Sequence, residues 1–377
     1  MKEDTIYENF INWLGKTWWK LPESEHLRPM IKANYSPQEA EFLTGLPLSA
    51  KPLEEVAAIK GLSQEEMEKK LEPLARKGMV YKSVRNDASW YRLNDSFMSH
   101  LRANLWPGEI DERMEKAIPL INKYIENGWF DQYLDVHYKG LRTLPIEKTV
   151  EDTRSIVPYE DVVKVVDEFE YYTVSFCPCR LRHNHDPAFK ECHHPLEVCL
   201  HFDELGRYIV ETGQGREITK EETHAILKES ADSGLVHAIS NWRNKPDTIC
   251  NCCSCCCMFL EGYHKLGHPE STNASSYKVE IEASTCKACA LCVKRCPMDS
   301  LQLRVSEKAG NKFGKAAALA NETCIGCGVC VHKCPTHSLS LARREKESRP
   351  PKNVKEYMAH FMRDKKAAKT SEFGNEN

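Results

Sequence analysis

Two stretches of the chain carry the same spacing of thiols: Cys286-Lys-Ala-Cys289-Ala-Leu-Cys292-Val-Lys-Arg-Cys296-Pro297 and Cys324-Ile-Gly-Cys327-Gly-Val-Cys330-Val-His-Lys-Cys334-Pro335. Each is C-x2-C-x2-C-x3-C-P. Three thiolates at three-residue spacing can wrap one four-iron cube, while the fourth, turned away by the proline after it, can reach a second cube. Zinc is the competing chemistry, since it also takes four thiolates. Zinc knuckles, however, use paired C-x2-C elements separated by a loop and lack the doubled triple spacing with its trailing Cys-Pro.

This pattern resembles the bacterial-type two-cluster ferredoxin module, placed here at 271–342. The resemblance implies that Cys286, Cys289, Cys292 and Cys334 ligate one 4Fe-4S cluster and Cys324, Cys327, Cys330 and Cys296 the other. It also implies short strands over the clusters. Apolar runs suited to them lie at Val279-Glu-Ile281, Leu301-Gln-Leu303 and Leu339-Ser-Leu341. A longer middle hairpin, Val305 to Asn321, departs from the family without touching a ligand.

Setting those eight apart from the chain's 18 cysteines leaves a second set: Cys177, Cys179, Cys192, Cys199, Cys250, Cys252, Cys253, Cys255, Cys256 and Cys257. They fall in FCPCRLRHNHDPAFKECHHPLEVCLHF and ICNCCSCCCMFL. Consecutive residues diverge on a helix or a strand, so the crowded second group must serve more than one centre or include packed thiols. One or two further iron-sulfur clusters are expected; a zinc site from Cys177, Cys179, Cys192 and Cys199, or unligated thiols, are the alternatives. His183, His185, His193, His194 and His201 are candidate substitutes for a thiolate, though each alone reads first as an ordinary histidine. Arg180 and Arg182 would offset the charge of a thiolate-bound centre beside Cys179. Between the groups, Thr219 with Glu222 makes a helix-starting box and Gly234 a stop, a helix expected to bring the two groups together.

These sites must be carried by 377 residues, a length suited to two or three domains. The formal net charge of -3 gives no reason to expect nucleic acid or an acidic membrane as the main partner. No cysteine precedes Cys177, so the thiols serve local sites rather than a stapling framework. The N-terminus lacks the features of a secretion signal, and no long apolar run suits a membrane span. A reducing cytoplasm is the expected compartment, because thiolates meant for iron must stay unpaired.

Tyr7, Phe10, Ile11, Trp13, Leu14, Trp18 and Trp19 largely repeat at helical spacing and form an aromatic face that packs on a neighbouring domain or docks to a membrane or subunit. From Ser36-Pro37 onward the pattern reads helix, helix, turn, helix, hairpin. Ser63 and Glu66 form a capping box, a third helix ends near Gly78, and MVYKSV and WYRL flank the turn RNDAS. This resembles a winged helix-turn-helix domain. Its third helix exposes Glu65, Glu66 and Glu68 where DNA would lie, Pro73 is expected to interrupt it, and Lys69, Lys70, Arg76 and Lys77 come late. Protein docking is therefore favoured over nucleic acid.

The expected fold class is α+β and multidomain: an aromatic amphipathic segment (1–34), a winged-helix-like domain (35–108), a helical connector with Pro119 inside it (109–139), a cysteine-rich metal or cluster domain (140–270), the two-cluster ferredoxin domain (271–342) and a basic, solvated, partly helical tail (343–377). No phosphate loop, dinucleotide fingerprint or Ser-His-Asp set is readable, and GQGRE at 213–217 lacks the required spacing, so no catalytic residue is named. The expected function is relay of single electrons to a partner oxidoreductase in an anaerobic-type metabolism. Two alternatives are a redox-responsive transcription regulator using the winged-helix domain, and an oxidoreductase whose cysteine-rich domain handles substrate at a cluster.

Overall fold

The structure is a computed structural model that describes residues 3–17, 21–95, 98–130, 136–146, 149–150, 158–268, 270–345 and 349–374. It is a mixed α/β chain in two compact units: residues 1–135, 173–192 and 204–217 in the first, and 136–172, 193–203 and 218–377 in the second. Among the described residues no helix is long and apolar enough to cross a membrane.

In the first unit the helix Glu3–Leu14 buries Tyr7, Phe10 and Leu14. The Tyr7 hydroxyl donates to the Tyr35 carbonyl (2.8 Å), and Phe10 meets the Tyr35 ring edge-on at 4.8 Å. The aromatic face is thus internal packing over its described part; Trp18 and Trp19 lie outside the described residues. Helices Pro37–Leu43, Leu53–Lys60 and Gln64–Arg76 follow, with a three-stranded sheet of Lys51–Pro52, Ala88–Leu93 and Val80–Arg85 in that order. Ser63 and Glu66 form the expected reciprocal cap.

Two local expectations are corrected. Pro73 does not interrupt its helix, which runs to Arg76. The proline sits in the last turn, where one lost N–H bond is tolerated, and its own carbonyl still accepts from Lys77 N–H (3.1 Å). The hairpin loop is also tighter than RNDAS suggests: Asn86 and Asp87 alone make the turn, both with positive φ, as a type I′ turn requires.

Pro119 likewise lies inside an unbroken helix, Glu112–Tyr124, whose Ile118 and Ile121 are fully buried. The hairpin is anchored by Tyr208, whose hydroxyl donates to the Val80 carbonyl (3.1 Å), and the helix before it by Gln214, which donates to Ala75 O (2.8 Å).

The second unit contains four consecutive antiparallel strands in the order Leu141–Thr143, Val236–Ser240, Thr248–Cys252, Glu197–Phe202. The helix Lys220–Asp232 starts at Thr219, whose hydroxyl accepts from Glu222 N–H (3.1 Å), and Gly234 follows it with φ +86°. Two small antiparallel strand pairs follow. Tyr277–Ile281 pairs with Leu339–Arg343, and Leu301–Val305 pairs with Lys315–Leu319.

The C-terminal segment is not a solvated tail throughout. Its helix Val354–Gly374 buries Tyr357 and Phe361, with Trp242 5.8 Å from the Tyr357 ring. Apolar residues at a spacing of four on a basic helix were enough to dock it. Lys346 lies outside the described residues.

Candidate metal centres

Each C-x2-C-x2-C run ends in a short helix, Leu291–Arg295 or Val329–His332. The residues before these helices adopt left-handed backbone: Ala288 and Ala290 in the first repeat, Gly326 and Gly328 in the second. That turn folds the loop inward so that three thiols face one space. Glycine is needed in the second repeat because a Cβ on Gly326 would lie 2.1 Å from the Tyr277 carbonyl oxygen.

The thiols exchange between repeats. Around Cys292 stand the thiols of Cys286, Cys289 and Cys334. Cys296, from the first repeat, instead shares a cavity with Cys324, Cys327 and Cys330, closed by Leu301 and Leu341. Backbone N–H groups point at the sulfurs: Ala288 at Cys286 (3.4 Å), Ser300 at Cys296 (3.3 Å) and Ala317 at Cys286 (3.5 Å). Such donors stabilise negative charge on sulfur. Burial pushes the Cys292 thiol up to about 11 and Cys330 well above its ordinary value. A bound cation would offset that cost to the thiolate. At Cys334 burial also raises, but the backbone N–H groups of Thr336 and Ser338 and the Thr336 hydroxyl outweigh it and lower the thiol.

The other ten cysteines are divided. Cys177, Cys179 and Cys192 belong to the first unit; Cys177 precedes the helix Pro178–Asn184, as its N-cap. Arg182 does not lie open to a cluster: its buried guanidinium donates to Asn122 Oδ1, and Asn122 in turn donates to Asp186 (2.6 Å). His183 packs on Phe189 at 4.4 Å, whereas His185 and His193 are exposed.

In the second unit the sulfurs of Cys253, Cys255 and Cys256 all lie within 4.8 Å of one another, with Cys255 and Cys256 at 3.6 Å. One tetrahedral ion at about 2.3 Å from each sulfur separates them by about 3.8 Å. A cube interposes several irons and holds its ligands further apart. Among the described residues the eight thiols of the repeats form no group this tight, as cubes would require.

Sequence reasoning missed the sheet that carries Cys199, Cys250 and Cys252. Its signal was the two-residue alternation in E-V-C-L-H-F and T-I-C-N-C. It also missed the short helix Met258–His264, which begins at its N-cap Cys257 and ends with His264 Nε2 2.7 Å from the Pro297 carbonyl. The Tyr263 hydroxyl meets Thr323 Oγ1 at 3.3 Å, one residue before Cys324.

Residues 278–354 match the family model of the 4Fe-4S dicluster domain. No curated protein and no solved structure matches the chain.

Proposed function

We propose that the protein is an iron-sulfur electron-transfer protein or subunit, relaying single electrons through two 4Fe-4S clusters to a partner oxidoreductase. The exchange of Cys296 and Cys334 between the repeats carries this proposal. Cys286, Cys289, Cys292 and Cys334 would hold one cluster, and Cys324, Cys327, Cys330 and Cys296 the other. When bound, such clusters take up and release one electron with little rearrangement. The chain supplies apolar cover from Leu301 and Leu341 and N–H donors to sulfur, both of which set how readily charge is held.

Further metal in the cysteine-rich region extends the relay. Cys253, Cys255 and Cys256 supply three donors to one such centre. The helix Met258–His264 links this region to Pro297 and Thr323 over seven residues, about 10 Å of helix rise. An input centre at the cysteine-rich end is thus connected by a rigid element to the loops around Cys296 and Cys324.

Residues 35–108 are proposed as a winged-helix-like docking scaffold for a protein partner. The three helices and three-stranded sheet support the resemblance, and the helix Gln64–Arg76 carries carboxylates on its surface, Glu65 already paired with Lys69 (2.7 Å). A reducing cytoplasm and an anaerobic-type metabolism belong to the same proposal.

Oxygen-free purification followed by iron, sulfide and zinc quantification and low-temperature EPR tests it. About eight irons with two interacting cubane signals are expected, as two four-iron clusters require. Iron-free protein with zinc on the repeats would overturn it.

A further inference from the structure

We infer that Cys199, Cys250, Cys252 and Cys257 form a separate four-thiolate metal centre, distinct from the one begun by Cys253, Cys255 and Cys256. This inference deepens the proposed relay and rests on it for function, but not for metal binding. The carrier is sheet register. Leu200 faces Ile249 and His201 faces Thr248, so the next antiparallel pair is Cys199 with Cys250; Cys252 lies two residues further along the same strand, opposite Val236. Directly opposed residues, and residues two apart on one strand, project to the same face. Three thiols therefore share one face of a buried sheet, while Asn251 and His237 share the other.

Their side chains interact as a chain of pairs. Cys250 is in side-chain contact with both Cys199 and Cys252, and Cys252 with Cys257, which turns in at the start of the helix Met258–His264. Cys199, Cys252 and Cys257 are buried and Cys250 is partly exposed. The strand ends at Cys252 and the chain then turns before the helix that Cys257 caps, so one crowded segment can serve two centres: Cys250, Cys252 and Cys257 go to one, and Cys253, Cys255 and Cys256 to the other.

A positioning neighbour is present as well. His201 is fully buried, with Nδ1 3.2 Å from Thr248 Oγ1 and its ring in contact with the Cys199 sulfur. Outer hydrogen bonds of this kind fix ligand geometry in thiolate sites. Among the described residues these four form no group as tight as Cys253, Cys255 and Cys256, so by the same spacing argument four soft thiolates here suit an iron-sulfur cluster better than one tetrahedral ion.

The test uses the full chain, produced with iron and handled without oxygen. Cys250→Ser with Cys257→Ser, Cys255→Ser with Cys256→Ser, and all four together are compared for iron, zinc and sulfide per chain and for EPR. Each pair should lose its own share of metal, the fourfold variant should lose the sum, and the signals of the repeat clusters should persist. Loss of zinc identifies a zinc centre, and loss of iron with sulfide a cluster; either supports the inference. Equal losses that do not add, or full metal in the Cys250/Cys257 variant, would overturn it. Should the paired variant fold poorly, Cys257→Ser alone serves, because serine is a favoured helix N-cap. Absence of the repeat-cluster signals in the parent protein would instead sink the proposed function, leaving this metal count readable.

Discussion

The guanidinium of Arg295 holds the C-terminal end of the helix Lys220–Asp232. Its Nη2 donates to the Ala231 carbonyl (3.2 Å) and its Nε to the Val329 carbonyl (3.3 Å); Arg295 and Val329 each stand one residue before a repeat cysteine, Cys296 and Cys330. One side chain thus joins the sheet-bearing part of the second unit to the loops of both repeats. The position suits arginine: carbonyls at a helix end carry partial negative charge, and the planar fork reaches two acceptors at once.

Replacing Arg295 with alanine should therefore destabilise the protein by about 1.5–3 kcal/mol, the usual worth of a charge-assisted hydrogen bond. Thermal unfolding of the iron-loaded protein reads this as a lowered midpoint. Lysine at the same position should recover only part of the loss, since it cannot fork. An unchanged midpoint in the alanine variant would show that the helix end is held by something else.

Asp232 occupies the last turn of that helix, where a carboxylate is repelled by the helix dipole. It is tolerated because Lys333 and His332 (2.9 Å), immediately before Cys334, and Lys228 (3.0 Å) surround it. Hydrogen bonds from Lys333, His332 and Lys228 hold its carboxyl well below the ordinary value of 3.8. A depressed carboxylate pKa stabilises the fold above the unfolded value and stops doing so as pH falls below it. Asp232→Asn should therefore speed amide exchange around residues 228–235 at pH 7. The difference from the parent should fade below about pH 4 and in high salt, where exposed pairs are screened.

The repeats are alike in sequence but not in backbone demand. Ala288 (φ +58°) and Gly326 (φ +68°) occupy equivalent positions, yet only Gly326 presses against the Tyr277 carbonyl. Gly326→Ala should strip iron from the site of Cys296, Cys324, Cys327 and Cys330 while sparing the other. Ala288→Gly should be neutral or should stabilise by about 1 kcal/mol, because it removes left-handed strain. EPR and iron content distinguish the two variants, and equal iron in both would disprove the asymmetry.

Much of this was legible in the spacing of residues. Within each repeat the first three cysteines face one space because local spacing decides it, whereas the exchange of Cys296 and Cys334 was implied only by the resemblance to the ferredoxin module. Ser63 with Glu66 and Thr219 preceding Glu222 marked helix starts correctly because capping is chemistry within one turn. What stayed hidden depends on distant pairing. Cys199 and Cys250 are 51 positions apart in the sequence and meet only through strand register. Tyr357 and Phe361 looked like part of a charged tail until the surface they pack on, near Trp242, was formed. Pro73 misled because its effect depends on where in a helix it falls.

On the face of the sheet away from Cys250, His237 is buried beside Asn251, with Nδ1 2.7 Å from Asn251 Oδ1, and Asn251 donates onward to the Val198 carbonyl (2.8 Å). Burial lowers the histidine from 6.5 to about 4, assisted by the charge of His332, against the hydrogen bond to Asn251. The folded state therefore disfavours the protonated ring. The contribution is intact above pH 6.5 and is lost as pH falls from there toward 4, because the unfolded chain takes up the proton first. A depression of this size corresponds to about 3 kcal/mol. His237→Gln, which keeps a donor for Asn251, should be less stable than the parent at pH 7.5 yet lose less stability on acidification to pH 5. Denaturant unfolding at the two pH values measures both slopes. Parallel slopes would place the acid sensitivity elsewhere in the molecule.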